Sequence, residues 1–419
     1  MTPGPGRYTS LDPDALQRAP MRTEAGHCRA FEETWAWLAP VLPLVPVSRI
    51  YDATPLDVLG VPVWSAVTPL AKDLTVHAGK GATASASRLS AAMEAVERVT
   101  AESLPEERIR TASYKELVAT EGTSPLDPRQ FALPFQSTYE PDRPISWTGA
   151  YDLINGDYHW VPADLVITPA SEGVCVGTET NGLASGNTYT EAVLHALYEL
   201  VERDALAAEE FYLIHHDSVY SPPRPVRLVD SATLPATSRQ WVGKLLDSGL
   251  RVQIQNLTTG TSIPVFGVII VDDGYPGADG EALSFAGYGA DLDPARAVLR
   301  AVTEAAQAHT GVTLGARDEF EGMRQVPERA AMLDRRLEVL YGDGSEPFPD
   351  DSGSVGDVYL DLLEVVRRLR ASGRDRCLVT ELTRADFDVP VVRVLVPGLA
   401  APYPDSSRAP TLRLLSEVI

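Results

Sequence analysis

Two stretches of the sequence carry the same arrangement of carboxylates. "SAAMEAVER" (residues 90–98) and "HALYELVER" (195–203) share the frame A-x-x-E-x-V-E-R, with every position displaced by 105 residues. Each copy holds two glutamates three residues apart, Glu94 with Glu97 and Glu199 with Glu202. On a helix advancing about 100° per residue, Glu191, His195, Glu199 and Glu202 fall within an arc of roughly 80°. Ser90, Glu94 and Glu97 form a second stripe by the same arithmetic. Glutamate usually faces solvent, and either helix alone reads first as a solvated face. The surroundings argue otherwise. Between Ala91 and Val96 the only charge is Glu94, between Ala192 and Val201 it is Glu199, and no lysine stands at the i+4 spacing that solvated faces favour. Carboxylates set in apolar helices repel one another and cost several kcal/mol each unless cations neutralise them. Such hard oxygen ligands suit Mg²⁺, which commonly bridges carboxylates to substrate phosphates. Arg98 and Arg203, each directly after a pair, suit carboxylate or phosphate oxygens.

Two familiar nucleotide motifs fail on inspection. "HAGKGATAS" offers Gly79 and Lys80, but Leu74 stands where a phosphate-cradling loop needs its first glycine. "GYGADL" offers Gly287 and Gly289, but Leu292 stands where the dinucleotide fingerprint needs its third. "TEAAQ" (Glu304, Gln307) and "GARD" (Arg317, Asp318) are balanced between lining a cleft and being commonplace exposed pairs. His215 and His216 read as local hydrogen-bonding residues, for want of a third ligand at helical spacing. Cys175 reads as a small strand residue rather than a nucleophile, since no base lies near it in sequence.

These residues need elements to hold them. "RAFEETWAWLAPVLPLV" predicts a short helix ending in prolines, "VPVWSAVTPL" and "LTVHAGKG" predict strands, and "SASRLSAAMEAVERVTAESL" predicts a helix carrying the first glutamate pair. "ISWTGAYDLINGDYHWVPADLVI" predicts strands around an Asn-Gly turn, and "GLASGNTYT" a small-residue loop that opens the second glutamate helix at Thr190. Beyond it, "RVQIQNL", "IPVFGVIIVDD" and "ALSFAGYGA" read as strands, and a long helix starts at Asp293 and Pro294. A further helix at 358–372 and a strand "VPVVRVLVPG" close the pattern. Strand and helix alternate, so the class is mixed α and β (α+β). Residues 1–27 read as a flexible N-terminal arm, residues 28–419 as a single domain, and 341–357 as an acidic flexible loop within it.

The 419 residues, 44% of them hydrophobic, suffice for a sizeable core. With 36 Lys plus Arg against 58 Asp plus Glu, the formal charge of -22 repels phosphate backbones and anionic membranes, so neither nucleic acid nor membrane is an expected partner. Cys28, Cys175 and Cys377 form no paired motif, which suits a reducing, cytoplasmic setting. No signal peptide is evident, and no stretch approaches the roughly 18 apolar residues that a membrane span needs.

The combination of Ser90, Glu94, Glu97 and Arg98 with "GLASGNTYTEAVLHALYELVERDA", "TEAAQ" and "GARD" resembles the YcaO family of ATP-dependent peptide-modifying enzymes, from about residue 45 to 400. The resemblance implies a fold with sheets and helices around a central ATP cleft lined by the two glutamate helices. It implies that Ser90, Asn187, Glu191 and Arg203 contact the nucleotide, with Lys80 as a further phosphate contact, and that Glu94, Glu97, Glu199 and Glu202 hold Mg²⁺. His195 stands where many members have Gln. The implied reaction is attack on a backbone amide of a precursor peptide, whose oxygen leaves with phosphate from ATP. A ring-forming cyclodehydratase, making an azoline (thiazoline) or a macrocyclic amidine, is the first expectation. A thioamide synthetase acting with a TfuA-like partner is the second, and a non-catalytic ATP-binding, peptide-presenting module the third. The ending "TLRLLSEVI" lacks the Pro-x-Pro-x-Pro tail of many azoline-forming members, and no leader-docking unit is evident, so a stand-alone enzyme or one with a small partner is expected. A homodimer remains open.

Overall fold

The computed structural model describes residues 4–9, 11–22, 26–120, 122, 124–175, 179–215, 226–273, 283–314, 345–401 and 410–416. In chain order its helices are α1 (Phe31–Leu38), α2 (Ala84–Thr100), α3 (Tyr114–Ala119), α4 (Tyr189–His215), α5 (Ala236–Asp247), α6 (Pro294–Thr313), α7 (Val358–Ala371) and α8 (Leu412–Ser416). Its strands are β1 (Arg49–Asp52), β2 (Val63–Val67), β3 (Val76–Lys80), β4 (Arg110–Ala112), β5 (Ile145–Asp152) and β6 (Asp157–Pro162). They continue with β7 (Leu183–Ser185), β8 (Arg251–Asn256), β9 (Val265–Asp272), β10 (Leu283–Ala290), β11 (Leu378–Glu381) and β12 (Val391–Leu395). The class is mixed α and β, as the alternation predicts.

The strands form three sheets with antiparallel pairing throughout: β1-β2-β3, β10-β9-β8, and β4-β5-β11-β12-β7 with β6 on β5. In each of the two small sheets the last strand in sequence leads into a helix that packs back on it, α2 on β3 and α6 on β10. Close approach requires glycine at both contacts. A Cβ on Gly79 would stand 2.1 Å from the Ser87 carbonyl oxygen, and one on Gly287 would stand 2.1 Å from the Ala305 nitrogen. The glycines of "GYGADL" therefore serve helix-on-strand packing. Helix α4 lies on β12 and β7 and against α7, which explains its near-continuous apolar composition. Trp147 and Trp160 are fully buried in the core beneath α2 and the large sheet.

Both glutamate helices start in the same way. Thr83 Oγ1 accepts from the Ala86 N–H at 3.2 Å, and Thr188 Oγ1 accepts from the Glu191 N–H at 3.1 Å. These two threonines are also 105 positions apart, so the repeat extends from the glutamates back to the caps. Asp293 caps α6 with Pro294 next to it, as predicted.

The described part of residues 1–27 lies against the body, in contrast to the flexible arm expected from its Pro, Gly and Arg content. Leu11 is buried, the Tyr8 and Trp160 rings stand 4.5 Å apart, and the Gln17 N–H donates to Thr190 Oγ1 at 2.9 Å. Part of the acidic stretch 341–357 is likewise anchored. Phe348 stacks on Phe266 at 5.3 Å, and the Gly353 N–H donates to the Leu292 carbonyl at 2.9 Å. An apolar ring and a backbone N–H within the acidic stretch make these anchors. "GLASGNTYT" is not all loop: Leu183–Ser185 form β7 at the edge of the large sheet. Among the described residues, no helix is long and apolar enough to cross a membrane.

Candidate nucleotide and metal site

Helices α2 and α4 present their polar stripes to one cavity of about 640 Å³. It is lined by all four paired glutamates, Glu94, Glu97, Glu199 and Glu202, and by Lys80, Ser90, Asn187, Glu191 and Arg203. The nine residues that the resemblance implies for the nucleotide and Mg²⁺ thus line one cavity, with His195 among them. Helix α6 adds a third wall through Arg300, Glu304 and Gln307.

The carboxylates are crowded, with Glu94, Glu97 and Glu199 half-buried and Glu202 buried. Glu97 Oε2 accepts from the Ser185 N–H at 2.9 Å and from its hydroxyl at 3.2 Å. Burial nevertheless pushes its carboxyl up to about 8, and Glu199 and Glu94 push the same way. Burial also raises Glu199, with Arg203 opposing and Glu202 adding to the rise. Glu202 is only 5% exposed. Although no lysine stands at i+4, an arginine does: Arg98 Nε lies 3.4 Å from Glu94 Oε1, and Arg203 Nη2 lies 3.7 Å from Glu199 Oε1. The arginines that follow the second glutamate of each pair therefore partner the first. Glu97 and Glu202 have no such partner one turn on, where Ala101 and Leu206 stand.

Cationic groups face the carboxylates across the cavity. Lys80, at the end of β3, is ion-paired with Glu304 on α6, and its backbone N–H points to Ser90 Oγ at 3.4 Å. Burial lowers the ammonium to about 8; Glu202 opposes that shift, while Arg300 and Arg203 add to it. Gln307 donates to the Ala78 carbonyl at 2.7 Å, tying α6 to β3. Glu304 and Gln307 are therefore part of the cleft, whereas Arg317 and Asp318 lie outside the described residues. Arg300 went unnoticed in the sequence, where "ARAVLRAV" reads as an ordinary helix. Its spacing to Glu304 and Gln307, i+4 and i+7, was the available signal. Its Nε has no hydrogen-bond partner among the described residues.

At one end of the cavity Glu191 is held by groups from the N-terminal segment. His27 Nδ1 lies 2.9 Å from its Oε1, and the Cys28 N–H and thiol donate to Oε2 at 3.0 and 2.8 Å. Asn187 Nδ2 donates to it at 2.9 Å, and Thr34 Oγ1 in turn donates to Asn187 Oδ1 at 2.7 Å. Burial would raise the Glu191 carboxyl, but the His27 hydrogen bond and the His27 and His195 charges hold it well below the usual carboxylate range. Burial lowers His195 to about 4 and raises the Cys28 thiol to about 12. His27, Cys28 and Thr34 were missed because nothing in the local sequence ties them to a helix some 160 residues later. His215 is exposed at the end of α4 beside Phe211, and His216 lies outside the described residues. Cys175 is buried, in a bend rather than a strand, and burial pushes its thiol up to about 12.

Paired carboxylates, of which Glu97 and Glu199 are raised by burial and further by neighbouring carboxylates, set opposite half-buried lysine and arginine, suit binding of a polyanion through divalent cations. Mg²⁺ fits this donor set, being all carboxylate oxygen, and each ion would offset the burial and the added repulsion that raise Glu97 and Glu199. Residues 78–400 match the family model described as YcaO cyclodehydratase, ATP- and Mg²⁺-binding. The chain belongs to the YcaO family, and its cofactors are ATP and Mg²⁺. An uncharacterized protein of Methanothermobacter thermautotrophicus is 34% identical over 374 residues, covering 85% of this chain and 91% of that one. An uncharacterized protein of the tfuA 3′ region of Rhizobium leguminosarum bv. trifolii is 33% identical over 411 residues, 94% of each. Among solved structures, YcaO from Methanopyrus kandleri bound with AMPPCP and Mg²⁺ superposes with a TM-score of 0.69 at 27% identity, covering 92% of this chain and 95% of that one. A heterocyclase in complex with substrate and cofactor gives 0.73 at 22% identity; it covers 97% of this chain, which spans only 59% of the heterocyclase.

Proposed function

We propose that this chain uses ATP and Mg²⁺ to activate a backbone amide of a ribosomally made precursor peptide, closing a ring by cyclodehydration to an azoline, such as a thiazoline, or a macrocyclic amidine. The observation that carries the reading is the meeting of two glutamate stripes from equivalent helices with Lys80, Arg203 and Arg300 in one cavity. Glu94, Glu97, Glu199 and Glu202 hold Mg²⁺. Ser90, Asn187, Glu191 and Arg203 contact the nucleotide, and Lys80 meets its phosphates. When bound, ATP supplies the phosphoryl group that turns an amide oxygen into a leaving group. The chain's own residues position that transfer and stabilise charge. Lys80 and Arg203 hold phosphate oxygens in place, and a cleft walled by three helices keeps water from competing with the peptide nucleophile.

A second reading has an observation of its own. The 33% identical relative is named for its place beside tfuA, which favours thioamide formation with a TfuA-like partner, sulfide being the nucleophile in place of a side chain or amine. One experiment tests both: purified protein, MgATP and candidate precursor peptide are incubated with and without sulfide and the partner, followed by mass spectrometry. Loss of one water per modified residue supports ring closure, and replacement of one oxygen by sulfur supports thioamidation. Absence of ATP turnover and of any modified product with every candidate peptide would favour the non-catalytic, peptide-presenting module.

A further inference from the structure

The cavity that holds the paired glutamates also holds an imidazole with the bonding of a proton acceptor. His27 lines it, and His27 Nδ1 lies 2.9 Å from Glu191 Oε1. Glu191 is 2% exposed and held in its ionised form, so it only accepts, and Nδ1 must carry the shared proton. That tautomer leaves the lone pair on Nε2. A buried carboxylate and the imidazole that it orients, set in a reaction cleft, are the parts of a general base and its support. We propose that His27 is the general base of the reaction put forward above: its Nε2 takes the proton of the peptide's attacking group while Glu191 holds its Nδ1. The assignment rests on that reaction and leaves Glu191 in the nucleotide set, so the imidazole stands beside bound ATP.

Side-chain and backbone contacts fix the ring. Besides Glu191 it meets Phe31 edge to face at 5.9 Å and His195 at 5.2 Å. Gly26, just before it, has φ +72°, and a Cβ there would stand 2.8 Å from Cδ of Arg296, which Asp291 and Asp293 hold. The Cys28 N–H and thiol donate to the other oxygen of Glu191 at 3.0 and 2.8 Å, which keeps the carboxylate turned to the ring. His195 is less suited to the task, since burial lowers it to about 4 and it hydrogen-bonds the Ser185 backbone. Glu191 and His195 precede Glu199 on α4 by about 12 and 6 Å at 1.5 Å per residue. That span leaves room for a peptide amide and its nucleophile between the imidazole and phosphates held at Glu199 and Glu202.

The attacking thiol, hydroxyl or amine forms its bond to the amide carbon, and its proton passes to His27 Nε2. The carbonyl electron pair moves to the oxygen, which takes the γ-phosphoryl group as ADP leaves. Phosphate then departs with that oxygen as the carbon–nitrogen double bond forms, carrying off the amide N–H proton. The imidazolium returns its proton to solvent, to which the side chain is 32% exposed.

The test incubates full-length protein with MgATP and synthetic peptides bearing Cys, Ser or Thr, their N-terminal amines free or acetylated, and counts product by mass spectrometry. Wild type, His27→Ala and His27→Gln are compared, with folding checked by circular dichroism and MgATP affinity by calorimetry without peptide. Gln still donates to Glu191 but takes up no proton, so the seat of the N-terminal segment survives and the base does not. Both variants should lose about 10²–10⁴-fold in kcat, with MgATP affinity and peptide KM little changed. Added imidazole should restore part of the rate to His27→Ala, which leaves it room, and none to His27→Gln. Turnover of His27→Gln close to that of the wild type overturns the proposal, as does a loss of kcat matched by an equal loss of MgATP affinity. A wild type that binds MgATP yet modifies none of these peptides overturns the proposed reaction and the base with it, an outcome that the wild type alone reveals.

Discussion

Glu97 and Glu202 are the carboxylates of the repeat whose charge no arginine one turn on shares, and Glu97 is already pushed up to about 8 by burial and by Glu199 and Glu94. Replacing either by Gln keeps size and hydrogen-bonding reach while removing a metal ligand. Both Glu97→Gln and Glu202→Gln should fold and should lose about 1 kcal/mol or more of Mg²⁺-dependent ATP affinity. Calorimetry with and without Mg²⁺ reads the difference, and unchanged ATP binding in both variants would remove them from the metal site. The metal-free Glu97→Gln protein should melt no lower than the wild type, because the substitution also relieves the repulsion. Cys175 offers a contrast. It is 1% exposed, and burial leaves it a thiol rather than a thiolate. Turnover of Cys175→Ser should stay close to that of the wild type; an abolished rate in a folded variant would mark Cys175 as a nucleophile after all.

Among the elements, α6 is fixed at its middle and near its C-terminal end by features that can be tested separately. At β10 the fit is so close that Gly287→Ala places a Cβ against the helix backbone, where no side chain can swing away. The expected cost is about 1–3 kcal/mol of unfolding free energy in denaturant titration; an unaffected midpoint would mean that strand and helix separate freely. Near its C-terminal end His309 Nδ1 lies 2.8 Å from Asp57 and Nε2 lies 3.3 Å from Asp272, joining α6 to the turn after β1 and to the end of β9. Burial disfavours the imidazolium, but the two carboxylates outweigh it and raise His309 above its ordinary value. A group raised in this way contributes stability below its unfolded value and loses it as pH climbs through the higher folded one. His309→Gln should therefore be less stable than the wild type by about 1–3 kcal/mol near pH 6, with the gap narrowing as pH rises. Glu97 also costs stability as pH rises, between its ordinary range and about 8, so the quantity to plot is the wild type minus the variant. A gap independent of pH would show that the imidazole acts by packing alone.

For the whole molecule, what the sequence revealed and what it hid divide along the range of the interactions involved. The glutamate stripes, the caps of α6 and the strands around them follow from local spacing, and all nine predicted site residues share one cavity. The pairing of the sheets, the third wall from α6, and the seating of His27 and Cys28 on Glu191 depend on contacts between remote segments, which periodicity does not record. Leu11 and Phe348 show the same limit, being single apolar anchors inside stretches whose composition suggests loops. Those remote contacts converge on the cleft: α2, α4 and α6 come from three different sheet-and-helix layers, and each packs into its own core cluster. A ligand that bridges them stabilises the fold only if its charge suits the walls. ATP alone brings more negative charge to four carboxylates, whereas ATP with Mg²⁺ neutralises them and reaches Lys80 and Arg203. MgATP at about 100 times its Kd should therefore raise the unfolding free energy by about 2.7 kcal/mol, and ATP with chelator should raise it far less. Thermal melts at fixed protein concentration measure both. Equal shifts with and without Mg²⁺ would mean that the nucleotide binds by its base and sugar alone and that the paired glutamates do not hold the cation between the walls.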